Sequence, residues 1–202
     1  MEPLHPAEVR VLGALLEKDL TTPEYYPLTL NALQNACNQK SSRDPLTAYD
    51  EAIVHQALGI LQQKGLVTKV SGAGHRVEKY GHRLGEKLNL GRRELALLAV
   101  LMLRGAQTVG ELRGRTERMH EFSDMEEVER VLETLSTRDP DPLVAPASRG
   151  RWVHVWHEHT DSPEEPESSG ASRSDLANRV ETLERELAEL KQQFETLRRQ
   201  FE

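Results

Sequence analysis

One order of elements is written twice in the first 160 residues, and that repetition limits the folds open to the chain. After Pro6, a residue suited to the first position of a helix, Val9, Leu12, Leu15 and Leu16 fall at helical spacing and predict a helix over 6–18. A proline-punctuated extended stretch follows at 21–28, then a short helix over 29–38 and a polar loop over 39–45. Thr47-x-x-Asp50 reads as a capping box for a third helix reaching Lys64, with Gly65 in its C-terminal cap. Residues 66–70 and 76–80 read as strands of a hairpin turning at Ser71-Gly72-Ala73-Gly74. The second copy runs in the same order. A helix over 92–104 stops at Gly105. Thr108-x-x-Glu111 opens a helix to about 119, and Ser123-x-x-Glu126 opens another to about 137. Strands over 142–146 and 151–157 close around Arg149-Gly150, and the connector over 81–90 includes a short helix. The expected fold class is mainly α with small β-hairpins (α+β), as two tandem winged helix-turn-helix domains over 1–90 and 91–160.

The tail has a different grammar. Residues 161–174, DSPEEPESSGASRS, show no apolar periodicity and read as an acidic flexible linker. Beyond it Leu176, Val180, Leu183, Leu187, Leu190, Phe194, Leu197 and Phe201 alternate in steps of four and three, a heptad with Val180, Leu187, Phe194 and Phe201 at a and the leucines at d. In a parallel pair Arg179 meets Glu184 and Glu186 meets Lys191 across the seam, both attractive. Residues 175–202 are therefore expected to form a coiled coil that makes the protein a homo-oligomer, a dimer by preference; the alternative is one amphipathic helix packed on its own body.

Charge narrows the partner. The net charge is −7, but residues 1–160 hold 20 Lys and Arg against 22 Asp and Glu, while 161–202 hold 6 against 11. The body is nearly neutral, unlike a dedicated basic nucleic-acid domain, though a local basic patch remains open. A single cysteine, Cys37, excludes an intramolecular disulfide. The longest apolar run, 95–103, falls well short of the ~20 residues a membrane span needs, and the start shows no basic-then-apolar leader, so the expected location is cytoplasmic.

Several segments carry a resemblance together: EVRVLGALLEKDLTTPEYYPLTLNALQNACNQKSSRDP, YDEAIVHQALGILQQKGLV, RRELALLAVLMLRGAQTVGELRGRTERMHEF and the terminal leucine heptad. The chain resembles the YceH-like family of uncharacterised bacterial proteins over nearly its whole length, CNQKSSRDP being the most specific motif. The resemblance implies a tandem winged-helix fold in a bacterial cytoplasmic protein, and it implies no reaction and no catalytic residues.

A winged helix commonly lays its third helix in the major groove and its wing on the backbone. In the first copy that helix would bury Ile53, Val54, Ala57, Leu58 and Leu61 and show Tyr49, His55, Gln56, Gln62 and Gln63, with Lys64 its only cation. Glutamines read adenine edges, yet a helix with so few cations gains little from phosphates; a solvated polar face is the competing reading. The loop Asn38, Gln39, Lys40, Ser41, Ser42 and Arg43 gathers donors before a helix and suits a phosphate, unless its side chains cap helices and Asp44 pairs with Arg43. Residues 64–93 hold eight Lys and Arg (Lys64, Lys69, Arg76, Lys79, Arg83, Lys87, Arg92 and Arg93) against Glu78 and Glu86. This is the best electrostatic footprint for duplex DNA, or else a surface for an acidic protein partner. The third helix of the second copy carries Asp124, Glu126, Glu127, Glu129 and Glu133, so that copy is expected to contact protein, although Arg113, Arg115 and Arg118 of its second helix offer contacts to a nucleic-acid backbone. The candidate DNA-binding set is thus Asn38, Gln39, Lys40, Ser41, Ser42, Arg43, His55, Gln56, Lys69, Arg76, Lys79 and Arg83. His154, His157 and His159 do not converge from one straight strand, and Cys37 reads as core, so no metal, cofactor or enzymatic activity is expected.

Overall fold

The computed structural model describes residues 3–70 and 77–156. The expected linker, the heptad seam, Arg76 and the histidines at 157 and 159 lie outside the described residues. The described fold is mixed α+β. Its first half runs α1 (Pro6–Thr21), β1 (Leu28–Thr29), α2 (Leu30–Cys37), α3 (Glu51–Gln63), β2 (Val67–Val70), β3 (Lys79–His82) and α4 (Leu84–Leu88). Its second half runs α5 (Arg92–Arg104), β4 (Gln107–Thr108), α6 (Val109–Thr116), α7 (Met125–Ser136), β5 (Val144–Ala147) and β6 (Arg151–His154). Among the described residues no helix is long and apolar enough to cross a membrane.

The repeated order folds twice into the same sheet. In the first half β3 is central, pairing antiparallel with β1 (Leu28 opposite Tyr80) and with β2 (Val67 opposite His82). In the second, β6 is central between β4 (Gln107 opposite Trp152) and β5 (Val144 opposite His154). Each short strand leads straight into a helix whose N-cap is the strand's last residue. Thr29 accepts from the Ala32 amide, and Thr108 forms the full capping box with Glu111. This arrangement is compatible with a winged helix in each half.

Local chemistry sets the boundaries, three residues later than expected for α3 and one later for α7. Thr47 does not open α3. Its hydroxyl lies 3.3 Å from the Cys37 carbonyl, and Asp50 caps the helix by accepting from the Ile53 amide at 2.8 Å. Likewise Asp124, not Ser123, caps α7, while the Glu127 carboxylate reaches back to the Ser123 amide at 2.9 Å. In both cases a carboxylate outcompetes the nearby hydroxyl as acceptor for an orphan helix amide. Gly65 ends α3 as read from sequence: its φ is +67°, and the Leu66 and Gly65 amides close on the Leu61 and Gln62 carbonyls.

The halves share a core. Residues 3–156 fall within one compact unit, and the expected boundary at 90–91 lies inside it. The most extensive helix contact runs between α1 and α5. Every residue from Ala7 to Leu16 and from Leu95 to Leu103 is buried, which a helix with one apolar stripe does not show. Gly13 permits the approach, since a Cβ there would stand 2.9 Å from the Met102 Cβ. Polar contacts fasten the same join. The Leu4 amide donates to the Trp156 carbonyl at 2.6 Å, and Arg92 bridges the Met119 and Leu20 carbonyls at 2.7 and 2.9 Å.

Candidate nucleic-acid interface

The 38–45 loop divides into residues that hold the fold and residues that face out. Asn38, at the end of α2, clasps the loop: its amide donates to the Tyr49 carbonyl at 2.7 Å and its oxygen accepts the Tyr49 N–H at 2.8 Å. Arg43 is only 6% exposed. Its guanidinium forms a two-point pair with Glu17 (2.7 and 3.1 Å) and donates to the Ala36 and Ser42 carbonyls and to Gln39 Oε1. Burial pushes the Glu17 carboxyl up, but Arg43 and then Lys18 outweigh it and hold it below the usual range. Arg43 is therefore an internal brace whose partner is Glu17, not Asp44, and it leaves the outward-facing set. Gln39, bonded to Arg43 and Lys18, is half-committed in the same way. Lys40, Ser41 and Ser42 are exposed. Beneath the loop Cys37 is buried, and burial pushes its thiol up to about 12 despite the cations of Arg43 and Arg10, which suits a core residue and not a nucleophile.

His55 and Gln56 are exposed on α3, as expected, while Ile53 is not core: it stands 39% exposed. Leu46, 63% exposed, borders an open groove of about 570 Å³ with Gln34, Lys40 and Tyr49. Wing strand β2 packs beside α3, and on the wing hydrogen bonds from Lys69 and then Tyr80 hold the Glu78 carboxyl low against desolvation.

Most cations of the 64–93 footprint have partners. Lys69 pairs with Glu78, and Arg83 with Glu86 at 3.2 Å, both in the open. Lys64 is tied to Glu8 at 3.2 Å and to the Pro3 carbonyl at 2.8 Å, Arg93 meets Glu127 at 3.5 Å, and Lys87 donates to the Lys64 carbonyl. Glu8 and Glu127 come from outside the segment, so folding lowers the charge excess that the linear sequence shows. Exposed pairs such as Lys69–Glu78 and Arg83–Glu86 hold weakly and exchange readily for phosphates. Lys64 and Arg92 are structural. Lys79 is half-buried on the central strand and faces no carboxylate among the described residues.

The second half adds an outward cationic group of which linear reading offered only Arg115. Arg115 of α6 and Arg151 of β6 both pair with Glu111, and Arg104 at the end of α5 lies within electrostatic reach of Arg115. No short motif signals it, because three separate elements supply the side chains. The acidic face expected on α7 is present: Asp124, Glu126, Glu129 and Glu133 are exposed. Among the described residues no three His, Cys, Asp or Glu side chains are placed to hold a metal.

Residues 4–151 match the family model described as "Protein of unknown function, DUF480". A UPF0502 protein of Solibacter usitatus strain Ellin6076 is 50% identical over 98% of this chain and 98% of its own length. One from Serratia proteamaculans strain 568 is 45% identical over 96% and 95%. One from Opitutus terrae is 57% identical over 70% of this chain and 61% of its own length. The matched region spans both repeats and the whole 38–45 loop, and on that extent the chain belongs to the DUF480/UPF0502 family of uncharacterised bacterial proteins.

Proposed function

We propose that the chain is a cytoplasmic, non-enzymatic tandem winged-helix protein that binds duplex DNA in a regulator-like role through its first half, as a homodimer joined by the 175–202 heptad. One observation carries the reading: wing strand β2 packs beside α3, which brings exposed Lys69 next to the helix that exposes His55 and Gln56. A polar helix in the major groove with a cation of the neighbouring hairpin on the backbone is a combination that suits a duplex. The charge on that face is modest, and Asp50 and Glu51 at the start of α3 oppose phosphate, so binding is expected to be salt-sensitive and weak without a preferred site. Fluorescence anisotropy of the full chain on a mixed-sequence duplex tests it. Affinity at low salt that falls with the double change Arg76→Glu, Lys79→Glu supports the reading, and no binding at low salt contradicts it.

A second reading has its own observation. Leu46, Ile53 and Val77 of the first half and Met125 on acidic α7 are large apolar side chains left in the open, as at a surface that meets protein. It predicts a partner that stays bound through nuclease treatment in a pull-down, and recovery of nucleic acid alone would count against it.

A further inference from the structure

Two guanidiniums meet on the Glu111 carboxylate, and a third, that of Arg104, lies within electrostatic reach of Arg115. Glu111 Oε2 accepts from Arg151 Nη1 at 2.8 Å, and its Oε1 lies 3.4 Å from Arg115 Nη2. That carboxylate is committed to the fold, since Oε2 also takes the Thr108 amide at 2.9 Å and closes the capping box of α6. Arg104, the last residue of α5, is half-buried, and its side chain has no hydrogen bond or ion pair among the described residues. Burial and then the charges of Arg115 and Arg43 hold its pKa low, against smaller opposing effects of Glu17 and Asp44. Asp44 is anchored alongside by its amide, which donates to the Leu103 carbonyl at 2.9 Å, but its exposed carboxylate pairs with none of the three arginines. A partly desolvated guanidinium without an anion is costly, and a bound oxyanion relieves that cost.

The glycines around the group give an independent indication. Gly110 and Gly114 sit inside α6, where glycine weakens a helix relative to alanine. A Cβ at either position would meet nothing within 4 Å, so no packing inside the described chain calls for them. Gly105 and Gly150, beside Arg104 and Arg151, are equally open, although their positive φ already accounts for glycine there. Gly114 adjoins Arg115 on α6, so a larger side chain there would stand in the path of a ligand at that arginine.

We propose that Arg104, Arg115 and Arg151 form a phosphate-binding site on the second half that takes backbone phosphates of duplex nucleic acid, with Glu111 orienting two of the guanidiniums. The site rests on the DNA-binding reading and adds a contact outside the first half. The planar guanidinium fork suits two phosphate oxygens at once. The test is anisotropy of the full chain on a mixed duplex across a salt series. The double change Arg104→Gln, Arg115→Gln is expected to weaken binding about tenfold or more and to flatten the salt dependence, while Arg104→Lys, Arg115→Lys keeps the wild-type salt slope and loses less affinity. Gly114→Leu is expected to leave thermal stability unchanged or higher yet weaken binding, which loss of fold does not explain. If the wild type binds and Arg76→Glu, Lys79→Glu weakens it while the Arg104, Arg115 and Gly114 variants bind like wild type, this site is overturned and the first-half reading stands. If the wild type binds no duplex at low salt, both fail.

Discussion

The two halves have the same order of elements and the same strand pairing, yet they expose opposite chemistry. In the first half α3 shows neutral polar groups and Ile53, and the cations lie on the wing. In the second half α7 shows carboxylates, and the outward arginines lie on α6 and at the ends of α5 and β6. The loops that lead into the third helices differ as well. The first half holds a long one with the Arg43–Glu17 pair, whereas the second closes a short one over buried Phe122. A shared backbone plan therefore fixes the cores and leaves the surfaces to diverge, and any function of the pair must use the halves differently.

The largest expected effect probes the loop that only the first half has. Arg43→Met leaves the Glu17 charge buried beside an apolar side chain and strips donors from two carbonyls. Urea unfolding should show a loss of about 3–5 kcal/mol. A loss under about 1 kcal/mol would mean that the loop stands without its brace.

The join between the halves comes next. Gly13→Ala puts a methyl 2.9 Å from the Met102 Cβ of a fully packed neighbour, so one helix must shift. The expected cost is about 1–3 kcal/mol. A single cooperative unfolding transition should persist in the wild type, because neither half keeps a complete core alone. Two separate transitions would instead mark the halves as independent domains.

Smaller still are the caps, which test whether the third helices are equivalent as helices while different as surfaces. Asp50→Ala and Asp124→Ala should each cost about 1 kcal/mol. Asp50→Ala should also tighten DNA binding by removing a charge at the start of α3.

The pH effect is smallest and belongs to the first half. His82 contacts Asp19 at 3.1 Å, and burial lowers its pKa below 6.5, with Asp19 opposing. The unfolded chain therefore binds the proton more readily. The stability that this histidine confers is present above pH 6.5 and is lost as pH falls through and below that value. His82→Gln should flatten the acid side of the stability profile, and an unchanged slope would remove His82 from the account.

Much of the fold was legible because periodicity and caps are local. Gly65, Gly105 and the Thr108–Glu111 box lie where their chemistry requires. What escaped is relational. The all-round burial of α1 and α5 follows from their packing on each other, which the sequence marks only faintly, in the unbroken apolar run of α5. Arg43 resembles an anion ligand in sequence, and only the approach of Glu17, on another helix, shows it to be a brace. The wing cations count as free until Glu8 and Glu127 arrive from distant elements. Arg115 is visible as a cation on a helix, but its meeting with Arg151 at Glu111 is invisible to any spacing rule for the same reason.

The measurement closest to the central claim is the salt dependence of duplex binding by the full chain, run beside the first-half change Arg76→Glu, Lys79→Glu and the second-half change Arg104→Gln, Arg115→Gln. The account predicts binding at low salt that falls steeply as salt rises, and a weaker, shallower dependence in each variant. Absence of binding at low salt, or affinity that neither variant changes, would contradict it.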